Sequence, residues 1–319
     1  MTMMAIIGCY GRTRPSDQGG SNDSYGTINS KKTRPADDGN NGSRCISMPN
    51  QIVRPIFIVG APCSGTNIFY RTFAKHPDLA WISNITKKIP SSFWLTRIVM
   101  LFRKDHRPTE ANNIWQKFVG TDDESLGPKD VTATVRNYLH SVLQNNLRIF
   151  KKPRFVNKCP GNSVRMEFLK EVFPDAIFIH ILRDGRAVAY SILRSRQRHS
   201  GQYWSVKPPG WQDLLNLPMV DACALQWKMT VESILKSADK LPQDQFMEVR
   251  YEEFVARPAE TLRQVGNQCG LVWQDDFLQA ITGGMDNRNY KWQTQMQDSD
   301  KKTLNGLLGN FLEQLGYRI

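Results

Sequence analysis

An α/β fold with a mainly parallel β-sheet covered by helices on both faces is predicted by three observations. Two compact apolar runs, IVRPIFIVG from Ile52 and AIFIHIL from Ala176, have the form of strands buried on both sides. Each run breaks at a tight glycine-containing turn and continues with apolar residues at helical spacing. Strand-like and helix-like segments then alternate along the chain, which is the pattern that builds parallel sheets.

The elements follow in order. After the first run, Ile68, Phe69, Thr72 and Phe73 place a helix over Thr66 to Lys75, stopped before His76-Pro77. Val131, Val135, Tyr138, Leu139, Val142 and Leu147 mark a long amphipathic helix. A short strand at Phe155 to Asn157 and a helix from Val164 to Phe173 lead to the second apolar run, which breaks at Arg183-Asp184-Gly185 and resumes as a helix through Val188, Ile192 and Leu193. Cys223 to Ala238 reads helical, Phe246 to Arg250 is a strand candidate, and helices are expected at Pro258 to Cys269 and Ser299 to Leu315.

The 319 residues are 40% apolar, too rich in core-forming side chains for a disordered chain. Lys and Arg number 42 against 30 Asp and Glu, a net charge of +12, which favours an anionic partner. The basic residues form no long blocks and no RNA-binding signature is visible, so nucleic acid is not expected. The six cysteines include no CxxC pair, which argues against a zinc ribbon or a disulfide framework and for a reducing, cytoplasmic setting. Met1 to Tyr10 lacks the basic flank of an export signal, and no membrane span is expected. Gly11 to Asn50 has no apolar periodicity, so residues 1–50 read as a disordered tail and 51–319 as one α/β domain.

The chemistry concentrates at the two turns. Gly60-Ala61-Pro62-Cys63-Ser64-Gly65-Thr66-Asn67 lies between strand and helix with P-loop-like GxxxxG spacing, in which backbone N–H groups close around phosphate oxygens. An NTPase needs Lys and Ser/Thr at the positions of Thr66 and Asn67, so the loop suits an anion better than NTP hydrolysis. An ordinary β-α turn is the plain alternative. Arg183 ends the second strand and Ser191 follows eight residues later on the next helix; they supply a bidentate fork and a hydroxyl donor. Two phosphate-directed elements at two strand ends point to a nucleotide with phosphate at both ends.

These residues resemble the sulfotransferases that use 3′-phosphoadenosine 5′-phosphosulfate (PAPS). GAPCSGTN looks like that family's 5′-phosphosulfate loop and ILRDGRAVAYS like its 3′-phosphate element. FVNKCPGN, VRYEEFVARPAETL and NRNYKW with its following helix are similar to further family segments, so the likeness runs across nearly all of Ile52 to Ile319. It implies a P-loop-like sheet with helical acceptor-side insertions, closest to the bacterial and tyrosylprotein branch. It also implies PAPS as co-substrate, 3′,5′-adenosine bisphosphate (PAP) as product, no metal, and a small-molecule acceptor with a hydroxyl or nitrogen. By the same resemblance Pro62, Cys63, Ser64, Gly65, Thr66 and Asn67 take the 5′ end of the donor and Arg183 and Ser191 its 3′-phosphate. Tyr251 fixes a nearby loop, and Lys291 and Trp292 close over the 3′-phosphate and adenine or form a surface pair.

The chain departs from the family twice. The basic residue usual before Ser64 is Cys63, a neutral thiol, which leaves Lys158 as the expected catalytic cation. The Glu that tyrosylprotein-type relatives carry after the first helix is replaced by Ser83-Asn84-Ile85. Asp105, His106, Glu110, Asp122 and His199 remain as bases, with nothing in their spacing to select one. A nucleotide or small-molecule kinase and a PAP-binding pseudoenzyme stay open as alternatives. The acceptor side is expected from Trp81 to Asp130 and His199 to Pro218, with Trp94, Trp115, Tyr203, Trp204 and Trp211 as exposed or packing aromatics. His180 reads as a core histidine and His76 as a helix end; Cys63 and Cys159 are either a redox pair or two independent thiols.

Overall fold

Four consecutive buried residues, Ile56–Val59, form strand β1. The strand begins later than its apolar run suggests, because Arg54 sits at φ 43° and Pro55 has no N–H to donate to a ladder. The computed structural model describes residues 51–90, 92–102, 107–119, 125–199 and 204–319. The expected tail, residues 1–50, lies outside them.

After β1 the chain forms α1 (Thr66–Phe73) and the two-residue strand β2 (Leu79–Ala80), then leaves the sheet for α2 (Phe93–Phe102) and the short α3 (Asn112–Trp115). It returns through α4 (Ala133–Phe150), β3 (Arg154–Lys158), α5 (Met166–Val172) and β4 (Ile177–Leu182). Then come α6 (Gly185–Arg198), α7 (Met219–Ala238), β5 (Phe246–Arg250), α8 (Tyr251–Ala256), α9 (Pro258–Gln268), α10 (Asp275–Thr282), α11 (Lys291–Gln295) and α12 (Asp298–Gln314). Local chemistry sets several boundaries. Thr132 caps α4 by accepting from the Val135 N–H at 3.3 Å. Asp184 caps α6 by accepting from Arg186 N–H at 2.9 Å. His76 ends α1's connection, its Nδ1 accepting from Asp78 N–H at 3.1 Å while Nε2 lies 3.1 Å from the Val272 carbonyl.

The strands order as β2-β3-β1-β4-β5 and every pair is parallel. Alternation along β1 divides the core. Ile56 and Ile58 face α1, α8, α9 and α10, with Phe69, Phe73, Phe254 and Leu262 among the buried partners. Phe57 and Val59 face α4 and α5, with Leu139, Leu143, Phe168 and Phe173. A third cluster joins α6, α7 and α12 around Trp227, Leu304 and Leu308. His180 is a fully buried β4 residue, 3.2 Å from the Glu248 carboxylate on β5. No helix among the described residues is long and apolar enough to cross a membrane.

Because β1 is flanked by β3 on one side and β4 on the other, the chain leaves its carboxyl end at the point where strand order reverses. Open α/β sheets bind their ligands in the crevice at such a point. The Gly60–Asn67 loop and the Arg183 turn both open there.

Candidate functional site

Serine 163, just after β3, anchors the start of the loop: its hydroxyl accepts from the Gly60 N–H at 2.9 Å and donates to the Gly60 carbonyl at 3.0 Å. The loop then turns through Cys63 at φ 63° and Gly65 at φ 90° before α1 begins. Gly65 is obligatory here for a second reason, since a Cβ on it would lie 2.3 Å from the Tyr251 ring. The first-turn N–H groups of α1 have no intrahelical acceptor and open toward an anion.

Two clefts meet at this loop. One, of about 480 Å³, is lined by Cys63, Arg183, Tyr190, Ser191, Arg194, Ser195, Arg198, Arg288, Lys291 and Gln295. Five of these are cations and none is an acid. The other, of about 430 Å³, is lined by Gly65, Thr66, Asn67, Ile68, Lys158, Tyr251, Gly284 and Asp286, and shares Cys63, Arg183 and Arg288 with the first.

Arg183 occupies the junction. It is buried, its Nε donates to Asn289 Oδ1 at 2.7 Å, its Nη1 donates to the Cys63 carbonyl at 2.9 Å, and its guanidinium stacks 4.4 Å from the Tyr251 ring. Burial lowers its pKa, opposed by Tyr251 and Glu252, yet guanidinium stays charged at any physiological pH. Glu252 braces this corner by accepting from the Asp184 N–H at 3.1 Å, from the Asn289 amide and from the Tyr317 hydroxyl at 3.2 Å.

Lys158, buried at the end of β3, donates to Glu110, whose side chain is one-third exposed. Thr109 returns this segment to the sheet, its N–H donating to the Ile82 carbonyl at 2.9 Å. Cys63 is reached by solvent from the clefts but has protein on most sides. Burial pushes its thiol up against the opposing pull of Arg183, Lys158 and Arg198, so the thiol is neutral near pH 7. Cys159 is buried and points elsewhere, its Sγ lying 3.1 Å from Asn112 Oδ1. The four described cysteines are all free.

Residues 55–275 match the sulfotransferase family. The chain belongs to that family. A protein-tyrosine sulfotransferase of Drosophila melanogaster is 27% identical over 228 residues, covering 70% of this chain and 39% of that protein. An omega-hydroxy-beta-dihydromenaquinone-9 sulfotransferase of Mycobacterium bovis is 25% identical over 202 residues, 61% of this chain and 49% of that one. Among solved structures, a sulfotransferase from Mycobacterium avium superposes with a TM-score of 0.58 at 16% identity, covering 84% of this chain and 78% of that chain, which is a likeness of fold. The chain spans from 39% to 65% of the length of the first curated relatives it matches.

The expected residues fall into three groups. Cys63, Gly65, Thr66, Asn67, Lys158, Arg183, Ser191, Tyr251 and Lys291 line the two clefts. Pro62 and Ser64 form the loop behind them, Pro62 facing a small adjoining recess and Ser64 buried. Trp292 lines neither cleft. Its ring is buried with α6, α7 and α12 and carries the Arg186 guanidinium at 4.8 Å, so it supports α11 from beneath and leaves Lys291 facing the cleft. Trp115 is likewise core, edge-on to Phe57 at 5.7 Å, whereas Trp94 is exposed.

Of the two candidate bases among the described residues, Glu110 is placed against Lys158 and His199 is not. His199 closes α6, its Nδ1 2.8 Å from the Ser195 carbonyl. Asp105, His106 and Asp122, with the aromatic Tyr203, lie outside the described residues. Sequence reasoning missed Arg194, Arg198 and Arg288. The first two were detectable, since Ser191, Arg194, Ser195 and Arg198 fall on one helical face. Arg288 stands in the NRNYKW segment three residues before Lys291, with no spacing signal to assign it.

Proposed function

We propose that this protein transfers a sulfuryl group from PAPS to a hydroxyl or nitrogen of a small-molecule acceptor. The observation that carries the reading is the pair of clefts joined at Arg183. The cleft with five cations and no acid suits the donor's 3′-phosphate, with Ser191, Arg194, Arg288 and Lys291 around it. The cleft over the α1 N-terminus suits the 5′-phosphosulfate, held by Gly65, Thr66 and Asn67. The kinase alternative has neither a Lys at 66 nor a hydroxyl at 67 in its support.

In-line transfer breaks the bond from sulfur to the oxygen it shares with the 5′-phosphate and forms one to the acceptor atom. Negative charge grows on the departing phosphate oxygen. Lys158 is the cation for that oxygen, taking the place left by the neutral Cys63. Glu110 receives the acceptor's proton. The two groups are in direct contact, so one ion pair places the cation and the carboxylate side by side. The small-molecule acceptor draws support from the name of the mycobacterial relative, and a cytoplasmic setting from the free thiols.

The uncharged Cys63 also favours a second reading, a protein that binds PAP without turnover. Incubation with PAPS labelled in its sulfuryl group and a panel of phenols, primary alcohols and amines separates the two. Label moving to one class, and not moving with Lys158→Ala, is the expected result. PAP binding without transfer to any class supports the second reading, and transfer of a labelled ATP phosphate in place of sulfate overturns both.

A further inference from the structure

The segment between β2 and β3 carries a face that the sulfuryl-transfer site does not use. Helix α2 reads FWLTRIVMLF, and among its described residues only Thr96 is buried. Trp94 is 70% exposed and Phe102 83%, with Leu95, Ile98 and Leu101 also exposed. The helix is held from beneath by a few contacts. The Thr96 hydroxyl donates to the Ile89 carbonyl at 2.9 Å, Asn145 of α4 donates to the Pro90 carbonyl at 3.0 Å, and the Arg148 guanidinium lies 4.6 Å from the Phe93 ring. These contacts present the apolar residues outward, where an apolar patch of this kind signals a binding surface.

Charge states what the surface fits. From Leu79 to Phe102 the chain has Lys87, Lys88 and Arg97 and no Asp or Glu. Lys87, Lys88 and Arg97 form no ion pair among the described residues. Between α2 and α4 lies a groove of about 200 Å³ with Phe93, Met100, Leu101 and Ile149 on its walls and Arg97, Arg148 and Lys151 at its rim. An apolar slot edged by three cations matches an acyl chain beneath a phosphate headgroup. A second copy of the chain fits poorly, since a two-fold contact through α2 sets these cations against their own counterparts.

We propose that α2 is an interfacial helix that seats the protein on an anionic lipid bilayer. Trp94, Ile98, Leu101 and Phe102 enter the boundary between headgroups and acyl chains while Lys88, Arg97 and Lys151 meet the phosphates. The docking does not depend on the sulfuryl-transfer reading, although the same segment ends at Glu110 and so ties the membrane face to the acceptor side.

Flotation of the full-length protein with vesicles of phosphatidylglycerol and phosphatidylcholine, against phosphatidylcholine alone, tests it. The expected result is binding at least about ten-fold stronger on the anionic vesicles and weakened by added salt. Trp94→Asp with Phe102→Asp abolishes it at unchanged melting temperature. Lys88→Glu with Arg97→Glu lowers it by roughly five-fold per charge, and reads the proposal even if the first variant folds poorly. No flotation, or equal binding to both vesicles, overturns the proposal. So does a lipid-free dimer that Trp94→Asp dissociates, because the face then belongs to a second copy.

Discussion

At the scale of single residues, Arg183 holds two walls of the site at once, through Asn289 on one side and the Cys63 carbonyl on the other. A planar fork is needed for that geometry, and an ammonium cannot reproduce it. Arg183→Ala is expected to weaken PAP by roughly 10- to 100-fold, as for loss of hydrogen bonds to a charged group, and Arg183→Lys to recover little of it. An affinity unchanged in a calorimetric titration of either variant removes Arg183 from the donor site. Glu110 carries a different prediction. Glu110→Gln keeps PAP affinity but lowers turnover by about 10²–10⁴. A variant with normal turnover, or one whose only defect is donor affinity, contradicts the assignment.

Among the elements, the turn from β1 into α1 is the most constrained, because Gly65 combines φ 90° with the Tyr251 ring packed against it. Gly65→Ala is expected to cost about 1–3 kcal/mol of stability and to displace Tyr251, so that PAP affinity falls with it. A melting temperature and affinity equal to the parent's contradict this account of the turn. The end of α1 supplies a pH dependence. Burial lowers the pKa of His76, with the Val272 hydrogen bond and Asp78 opposing and Lys152 and Arg154 assisting. A folded state with the lower pKa binds fewer protons than the unfolded chain, so stability present above about pH 6.5 is lost as pH falls below it. Melting curves across that range should show the decline in the parent and a flatter profile in His76→Gln; parallel profiles contradict it.

What the sequence revealed at this scale follows from how each element is buried. β1 and β4 and the helices after them were legible because two-sided burial writes an unbroken apolar run, and one-sided helix burial a regular spacing; the edge strand β5, FMEVR, shows instead the alternation of buried Met247 and Val249 with outward residues. Strand β2 is two residues long and leaves no pattern. Helix α2 is apolar almost all round with its face outward, so no polar side marks it, and α3 is four residues. The contact of Glu110 with Lys158 joins residues 48 apart through the return of the chain at Thr109, which no local pattern encodes. Lys291 and Trp292 are neighbours in sequence but face a cleft and a core, a division fixed by the packing of α11 on α6.

Across the whole molecule, the reversal of strand order at β1 gathers the loop, the Arg183 turn and the Arg288 segment at one sheet edge, where five cations line one cleft. The paired clefts were foreshadowed by two phosphate-directed turns; their shared wall became visible only in three dimensions. The account stands or falls on whether that edge is a site for a nucleotide phosphorylated at both ends. Calorimetric titration of the protein with PAP in the presence of a chelator, beside ATP with Mg²⁺, tests this directly. Tight binding of PAP without metal, with ATP much weaker, is the predicted result. Preference for ATP with Mg²⁺, or binding of neither, contradicts it.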